Sequence, residues 1–296
     1  MKKIRHNCRS NNRKQSLRIF QANVGKPPEA HDIALAIADA EKFDVVLLQE
    51  PWSKWEDGRC ETKTHPAYKV FSPVPHWDST STRPRDMTFV RHSLNANHMC
   101  PSNSRDMLWI TISDTPILNI YRDPVIRDSL TQLFSWPIPE KCIITGEFNA
   151  RHHSWEPGTG SIHGGQYITD WTEEHGLSQL VPPVPTNPRD TTIDLVFTNI
   201  PLVSAEIEEH LATSSDHFTI AISIPEVSLQ ARSDSRPRLR TPEDIQRFQQ
   251  LVCGAVKDLP VAVNSPGDIG LLAVAISETI QTALHTAGRA ARHTSR

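Results

Sequence analysis

Lys141-Cys-Ile-Ile-Thr-Gly-Glu-Phe-Asn-Ala150 is the stretch from which fold and chemistry are most directly inferred. Its short apolar run is typical of a buried strand, and the run breaks at Gly146. Glu147 and Asn149 follow two residues apart, so on an extended segment their side chains point the same way. The carboxylate can orient or deprotonate a water, and the amide can hold a phosphate oxygen without adding negative charge. The stretch therefore predicts phosphodiester chemistry at a strand end.

Four other segments also place an acid, an amide or an imidazole just past or within a predicted strand. They are Gln21-Ala-Asn23, Leu48-Gln-Glu50, Thr192-Ile-Asp194 and Ser215-Asp-His217. Any one of these polar residues has an ordinary structural explanation, but their recurrence in five segments favours a shared site. The pattern predicts a divalent-metal-dependent phosphodiesterase that acts on DNA.

Phosphodiester hydrolysis needs charge neutralisation, an activated water and help for the leaving oxygen. Glu50 is the predicted primary ligand of a hard cation such as Mg²⁺. Asp194 is expected to pair with His217, which fixes the imidazole tautomer and keeps the ring charged near a phosphate; a purely structural Asp–His bond is the alternative. Asp216 is either a second metal ligand, a residue that orients Asn23, or a turn cap.

Further polar residues flank these segments. Tyr121 ends a predicted strand and is either a phosphate donor or an ordinary strand tyrosine. Arg122, which follows it, is a candidate phosphate contact. His152 and His153, just past the central stretch, either line a DNA groove or pack beneath the loop, and because they are adjacent their side chains diverge, which argues against a shared zinc ion.

The composition is that of a soluble globular protein, with 38% apolar and 22% charged residues in 296. No run is long enough for a membrane span, and no secretory signal is visible. Five cysteines are scattered singly, which argues against a zinc knuckle or a disulfide framework and predicts a reducing compartment, the nucleus or the cytoplasm.

Charge is distributed unevenly along the chain. Residues 1–27 carry eight basic residues and no acid, which leaves −11 for the remainder because the whole chain carries −3. Residues 1–15 are predicted to be a basic, disordered arm, which either contacts the phosphate backbone or only aids solubility.

The predicted elements favour an α/β sandwich over an all-parallel sheet, because strands alternate with few helices and long polar loops. No nucleotide-binding glycine motif is present. Residues 227–240 have a linker composition, and residues 241–296 are predicted to form a helical hairpin. The hairpin's apolar stripes are Ile245, Phe248, Leu251 or Val252, and Val256 on the first helix, and Ile269, Leu272, Ile276, Ile280 and Leu284 on the second.

In chain order, six segments resemble the motif set of the endonuclease/exonuclease/phosphatase superfamily. They are Gln-Ala-Asn23, Gln-Glu50-Pro, Asn-Ile-Tyr121, Gly-Glu147-Phe-Asn149-Ala, Thr-Ile-Asp194-Leu and Ser-Asp216-His217. Gln-Glu-Pro-Trp52, His-His-Ser-Trp155 and Thr-Thr-Ile-Asp194-Leu are similar to endonuclease domains of non-long-terminal-repeat retrotransposons. The resemblance covers residues 16–226, and the helical tail resembles the segment that precedes reverse transcriptase in those polyproteins.

The resemblance implies a four-layer α/β sandwich with two mixed sheets that nicks DNA with Mg²⁺, or with Mn²⁺ in its place. It implies that Glu50 binds the metal with Asn23 and Asp216 close by, that Glu147 activates water and that Asn149 holds the phosphate. It implies that Tyr121 assists the phosphate or leaving group and that His217, paired with Asp194, stabilises the charge on phosphorus. Arg122 and His153 are further candidate substrate contacts.

Two departures from the family pattern bear on activity. The central acid of the family is Asp, and here Glu147 carries an extra methylene that moves its carboxylate by about 1.5 Å. The family places Asn after the tyrosine, and here Arg122 follows. A displacement of about 1 Å can cost on the order of a hundredfold in rate. The alternatives are therefore a catalytically impaired nucleic-acid-binding remnant, or a relative acting on inositol phosphates, sphingomyelin or RNA.

Overall fold

The computed structural model describes residues 14–98, 104–126, 128–228, 239, 241–259 and 266–288. The chain divides into two compact units, Met1–Arg232 and Ser233–Arg296. Most of the predicted basic arm (residues 1–13) and most of the predicted linker (residues 229–238 and 240) lie outside the described residues. No helix of the described part is both long enough and apolar enough to cross a membrane.

The described part of the first unit consists of strands with few helices. The strands are β1 (Lys14–Asn23), β2 (Val45–Gln49), β3 (Ser53–Glu56), β4 (Arg59–Thr62), β5 (Tyr68–Phe71), β6 (Asp86–Arg91), β7 (Ala96–His98), β8 (Met107–Ile112), β9 (Thr115–Tyr121), β10 (Ile143–Glu147), β11 (Ser178–Gln179), β12 (Asp194–Thr198), β13 (Ser204–Ile207) and β14 (Ile220–Ser228). The helices are α1 (Pro28–Ala40), α2 (Thr131–Ser135) and α3 (Gly165–Glu174).

Two six-stranded sheets form the body of this unit. The first has the order β13-β14-β1-β2-β6-β5 and the second β11-β12-β10-β9-β8-β7, while β3 and β4 form a separate hairpin. Each sheet is mixed, because β1–β2 and β9–β10 pair in parallel and their neighbours pair antiparallel. The prediction of two mixed sheets, in place of one parallel sheet, is confirmed.

Three apolar clusters give the unit four layers. The central cluster lies between the sheets and joins residues such as Ile19 and Leu47 of the first to Ile117 and Ile143 of the second. The second packs α1 on the outer face of the first sheet, and the third packs α2 and α3 on the outer face of the second. Burial of both faces explains why β2 and β10 are continuous apolar runs.

Several predicted elements differ from the structure in extent. The helix that the sequence predicts at 126–134 forms only at Thr131–Ser135, because residues 128–130 lie in a turn and the N-terminus of the helix has no side-chain cap. The strand expected to reach Asn149 ends at Glu147, because Asn149 has a φ of 47° and the chain turns there. The β3–β4 hairpin was not predicted, although Asp57-Gly58, both with positive φ, is a strong hairpin signal.

The described part of the second unit is a pair of helices, α4 (Pro242–Ala255) and α5 (Pro266–Ala287). Thr241 caps α4 through a reciprocal hydrogen-bonded box with Asp244, as its sequence predicts. Among the described residues of the predicted apolar stripes, some are half-buried (Phe248, Leu251, Val252, Leu272 and Leu284) and the others are exposed (Ile245, Val256, Ile276 and Ile280).

Gly146 permits the close packing of β10 against β9. Its φ is 142°, and a Cβ at this position would overlap the carbonyl oxygen of Ile120 in the neighbouring strand. Any other side chain at 146 must therefore push the two strands apart just before Glu147.

We expect Gly146→Ala to destabilise the protein by about 3 kcal/mol or more, because a backbone clash adds to the cost of the unusual φ. Gly58→Ala is the matched control, since Gly58 also has a positive φ (75°) but open space around its Cβ position. It should cost about 1 kcal/mol. Urea unfolding of both variants measures the difference, and equal losses would contradict a clash.

Candidate active site

One edge of the sandwich collects the predicted site residues. The carboxyl ends of the parallel strands β1, β2, β9 and β10 lie there, and so do the amino ends of their antiparallel neighbours β6, β12 and β14. The side chains gathered at this edge are Asn23, Glu50, Tyr121, Glu147, Asp194 and His217. Side chains from six distant segments therefore meet at one edge.

Two hydrogen bonds at this edge join the first sheet to the second. Asn23, the last residue of β1, donates its Nδ2 to Oε2 of Glu147 at the end of β10. The Tyr121 hydroxyl at the end of β9 donates to Oε1 of Glu50, just past β2, at 3.2 Å. Each acid is thus held by a neutral donor on the opposite sheet, which fixes its position without neutralising its charge.

A third bond across the sheets pairs His217 with Asp194. His217 Nδ1 lies 2.9 Å from Oδ2 of Asp194, which is fully buried at the start of β12. Burial lowers the pKa of His217, but the charges of Asp194, Glu147 and Asp216 outweigh it and raise the pKa to about 9. The ring is therefore an imidazolium at neutral pH. Its Nε2 has no hydrogen-bond partner among the described residues.

Glu147 is a buried carboxyl in a crowded electrostatic environment. Burial and the neighbouring Asp194 raise its pKa to about 7, with a smaller contribution from Glu50, while His217 and the Asn23 amide oppose the rise. Such a group can exchange a proton near neutral pH, which suits a residue that orients or deprotonates a water. Although its side chain is one methylene longer than the Asp of the family pattern, the Glu147 carboxylate lies in the site.

The loops after β1 and β2 are joined at Glu50. The backbone N–H of Lys26 donates to the Glu50 carbonyl at 2.8 Å, and the Lys26 ammonium lies 2.6 Å from Glu50 Oε1. Glu50 N–H donates to the Arg85 carbonyl at 2.8 Å. Both Lys26 (φ 78°) and Glu50 (φ 48°) have left-handed backbone, which is strained for such residues.

Three buried amide side chains form a hydrogen-bonded chain in the interior of the sandwich, next to the site. Gln21 Nε2 donates to Gln49 Oε1 at 2.9 Å, and Gln49 Nε2 donates to Asn119 Oδ1 at 2.5 Å. Asn119 Nδ2 in turn donates to the Met87 carbonyl of the first sheet at 3.0 Å. Sequence reasoning missed this chain, yet a signal exists: Gln21 and Asn119 are polar residues inside apolar strands, two positions before Asn23 and Tyr121.

Tyr121 is held from its other side by Arg85. The Arg85 guanidinium lies 5.1 Å from the centre of the Tyr121 ring and binds Asp106 through two nitrogens, Nε at 2.5 Å and Nη2 at 2.6 Å. Its third nitrogen, Nη1, binds Asp123. Burial, together with Glu50 and Glu147, raises the pKa of Tyr121, so the phenol stays protonated and remains a donor.

Asn149 and Arg122 are bonded to each other instead of facing the cluster. Asn149 Nδ2 donates to the Arg122 carbonyl at 2.8 Å, and Arg122 Nη1 donates to the Asn149 carbonyl at 2.8 Å. The premise that Glu147 and Asn149 share an extended segment is wrong, because Asn149 has a positive φ. Arg122 is buried, so in this structure it braces the loop after β10.

Asp216 and His153 lie at the exposed margin. Asp216 is 55% exposed in its side chain and its nearest cation is Arg189 at 3.5 Å. Asn23 is oriented by Gly25, whose N–H donates to Asn23 Oδ1 at 2.7 Å, and no hydrogen bond from Asp216 to Asn23 occurs among the described residues. His153 is exposed and its ring lies 4.0 Å from that of the buried His152, which packs beneath the loop.

The donor set fits a hard divalent cation. Ligand atoms of Glu147, Asp194 and His217 lie within 4.8 Å of one another, and Asp194 Oδ1 is buried with no hydrogen-bond partner in the described part of the chain. Because His217 is charged and uses Nδ1 for Asp194, the oxygens that could hold such an ion are the carboxylates of Glu147 and Glu50 with the Asn23 amide. This edge is therefore a candidate metal site.

Asp86 is an acid at this edge that sequence reasoning missed. It opens β6, opposite Gln49 in the sheet register, and is fully buried with neither carboxyl oxygen hydrogen bonded among the described residues. Burial, with a smaller contribution from Asp106, raises its pKa well above the usual value. Burial therefore favours the neutral form of the Asp86 carboxyl in the folded protein.

We expect the His217 imidazole to titrate near pH 9 in an NMR titration, and to titrate near or below 6.5 in Asp194→Asn, which removes the main attraction. Because the folded-state pKa lies above the ordinary 6.5, the stabilisation from this pair is complete below about pH 6.5 and is lost as the pH rises through about 9. The exposed His210 is an internal control. A His217 pKa at or below 6.5 in the unmutated protein would contradict the pairing.

We expect Asp86→Asn to raise Tm, measured in EDTA, at neutral pH but not below pH 3.8. The folded-state pKa lies above the usual 3.8, so ionisation of the unfolded chain costs the native state stability as the pH rises past that value. The exposed Asp114→Asn serves as control. A Tm difference that does not grow with pH would show that the buried carboxyl carries no such cost.

Comparisons with known proteins agree with this geometry. Residues 115–221, which contain Tyr121, Glu147, Asp194 and His217, match the family model described as "Endonuclease-reverse transcriptase". No curated protein sequence is significantly similar to the chain.

Two solved structures share the fold. The endonuclease domain of TRAS1, a telomere-specific non-LTR retrotransposon, superposes with a TM-score of 0.60 at 20% identity over 72% of this chain and 99% of that domain. An AP endonuclease from Leishmania major superposes with a TM-score of 0.52 at 13% identity over 72% of this chain and 88% of its own. The chain therefore shares the fold of these two endonucleases, and residues 115–221 match an endonuclease family model, in agreement with the resemblance of its six motifs.

Proposed function

We propose that this chain is a Mg²⁺-dependent endonuclease of retrotransposon type that nicks DNA and leaves a 3′-hydroxyl, with Mn²⁺ as a substitute ion. The observation that carries the proposal is the set of three hydrogen bonds across the sheets, Asn23–Glu147, Tyr121–Glu50 and His217–Asp194. They hold three acids, an amide, a phenol and an imidazolium at one edge, and such groups can bind a cation, activate a water and stabilise charge on a phosphate.

The acids of this edge hold the cation and the water. Glu50 and Glu147, with the Asn23 amide, supply oxygen ligands for a hard divalent ion, and such an ion neutralises charge on the scissile phosphate when bound. Glu147, whose pKa is about 7, orients or deprotonates the attacking water. Asp216, exposed at the margin, remains a proposed outer partner of the metal through water.

The donors of this edge serve the phosphate. The charged His217 offers Nε2 to a phosphate oxygen, where it stabilises the negative charge that develops in the transition state. The neutral Tyr121 hydroxyl assists the phosphate or the leaving oxygen. Asn149, Arg122 and His153 are proposed substrate contacts, and the first two reach the phosphate only if the loop after β10 rearranges.

DNA is the proposed substrate because both similar structures bear names of DNA-directed enzymes, a retrotransposon endonuclease domain and an AP endonuclease. The description "Endonuclease-reverse transcriptase" supports a reverse transcriptase region in the same polyprotein. The described cysteines, Cys60, Cys142 and Cys253, are all free thiols, which agrees with action in the nucleus or cytoplasm.

We expect supercoiled plasmid to be nicked in Mg²⁺ or Mn²⁺, and EDTA to abolish nicking. Glu50→Ala and His217→Ala should each lower the rate by at least about a hundredfold, because each removes a group that acts on the transition state. Gel quantification of open-circular product measures the rate.

The matched controls are Glu56→Ala and His210→Ala, an exposed acid and an exposed imidazole with partners outside the site. Both should nick at the unmutated rate. Nicking that survives in both site variants would overturn the assignment. DNA binding without turnover, rescued by Glu147→Asp, would instead establish the impaired remnant.

A further inference from the structure

We propose that Lys26 is an internal counter-ion that competes with the divalent cation for Glu50 and moves to a DNA phosphate when the cation binds. The inference rests on the proposed function, because it assigns a metal ligand and a substrate to the same site. It concerns the loop after β1, whose lysine the site roles given above leave unused.

Two contacts hold Lys26 against Glu50. The backbone N–H of Lys26 donates to the Glu50 carbonyl at 2.8 Å, and its ammonium lies 2.6 Å from Glu50 Oε1, the oxygen that also accepts the Tyr121 hydroxyl. One carboxylate oxygen therefore carries both a cation and a hydrogen-bond donor. A divalent ion that takes this oxygen meets the repulsion of the ammonium.

The ion pair between Lys26 and Glu50 is exposed on the lysine side and can be displaced by a divalent cation. The Lys26 side chain is 51% exposed whereas that of Glu50 is 16% exposed, so the ammonium faces solvent while the acid faces the site. An ion pair so exposed on one side is weak, and a divalent ion displaces it readily. The backbone contact persists after displacement, so the freed ammonium stays at the rim of the site.

Backbone strain supports a functional explanation for this pair. Lys26 and Glu50 are both non-glycine residues with left-handed φ, 78° and 48°, on two adjacent loops, and they bond to each other. Strain of this kind persists only where surrounding contacts enforce it, and it concentrates at binding and catalytic sites. The strained loops hold the half-exposed lysine beside Glu50, so a phosphate that arrives with the cation meets its ammonium there.

The test compares Lys26→Met with Lys26→Arg and with Lys54→Met. Lys54 is the matched control, because it forms an exposed ion pair of similar geometry with Glu56, at 2.7 Å and 48% exposure. The first readout is the Mn²⁺ dissociation constant, measured without DNA by the loss of the free-ion EPR signal. Lys26→Met should bind Mn²⁺ about three- to tenfold more tightly, while Lys26→Arg and Lys54→Met should not.

The second readout is the salt dependence of binding to a duplex oligonucleotide with Mn²⁺ present, measured by fluorescence anisotropy. All proteins carry His217→Ala in this experiment so that the DNA stays intact. Lys26→Met should weaken binding and reduce the slope of log K against log salt by about one, the contribution of one phosphate contact. Tighter Mn²⁺ binding together with weaker DNA binding in Lys26→Met would show that the ammonium moves from Glu50 to a phosphate. A lysine with only a structural role would not tighten metal binding when it is replaced.

Mn²⁺ affinity of Lys26→Met that equals that of Lys54→Met, or falls below it, would overturn the inference. So would an unchanged salt slope. Both are equilibrium measurements, so they remain decisive even if the unmutated protein nicks no plasmid, a result that would overturn only the proposed function. If the unmutated protein nicks plasmid but Lys26→Met has an unchanged Mn²⁺ affinity, the proposed function stands and the inference about Lys26 is overturned.

Discussion

The structure depends on hydrogen bonds between amide side chains that are buried between the two sheets. Asn119 of the second sheet bonds to Gln49 and to the Met87 carbonyl of the first, so amides tie the sheets together deep in the sandwich. Buried amides are costly unless satisfied, and a satisfied network fixes one geometry. The same network therefore sets the spacing at which the three hydrogen bonds of the site can form across the sheets.

The site contains more acidic side chains than basic ones. Glu147 and Asp194 are buried beside each other, with Glu50 near, and one imidazolium at His217 offsets only part of their charge. Burial, followed by the repulsion of Asp194, raises the pKa of Glu147. An edge of this kind attracts cations, and the Lys26 ammonium on Glu50 shows that a cationic group already occupies its most accessible acid.

Much of the fold and of the site follows from sequence pattern, because strand ends marked by polar residues and apolar runs are local signals. The short β-like runs at residues 68–71 and 107–112 predict the observed bounds of β5 and β8. The predicted site residues Asn23, Glu50, Glu147, Asp194 and His217 meet at one edge. The sequence pattern does not reveal which side chains form hydrogen bonds or ion pairs with residues distant in the sequence.

Arg85 illustrates the limit of sequence reasoning. It braces Tyr121 through Asp106 and Asp123, partners 21 and 38 residues away that no periodicity connects to it. Asn149 illustrates a second limit, which is the backbone conformation of loops. The alternation of side chains along a strand predicts that Asn149 points the same way as Glu147, but the left-handed backbone at Asn149 turns its side chain elsewhere. Local rules fail where the chain leaves regular structure, and functional loops lie in such places.

Glu147 shows how a departure from a family pattern can be accommodated. Its extra methylene carries the carboxylate from the second sheet to the Asn23 amide on the first, a span that the spacing of the sheets sets. A shorter acid would leave that amide without its acceptor and draw the charge back toward Asp194, where repulsion is greatest. Gly146 keeps β10 close to β9 immediately before Glu147, so it fixes the strand end from which the side chain extends. Glu147 and Asn23 therefore form a matched acid and amide across the two sheets.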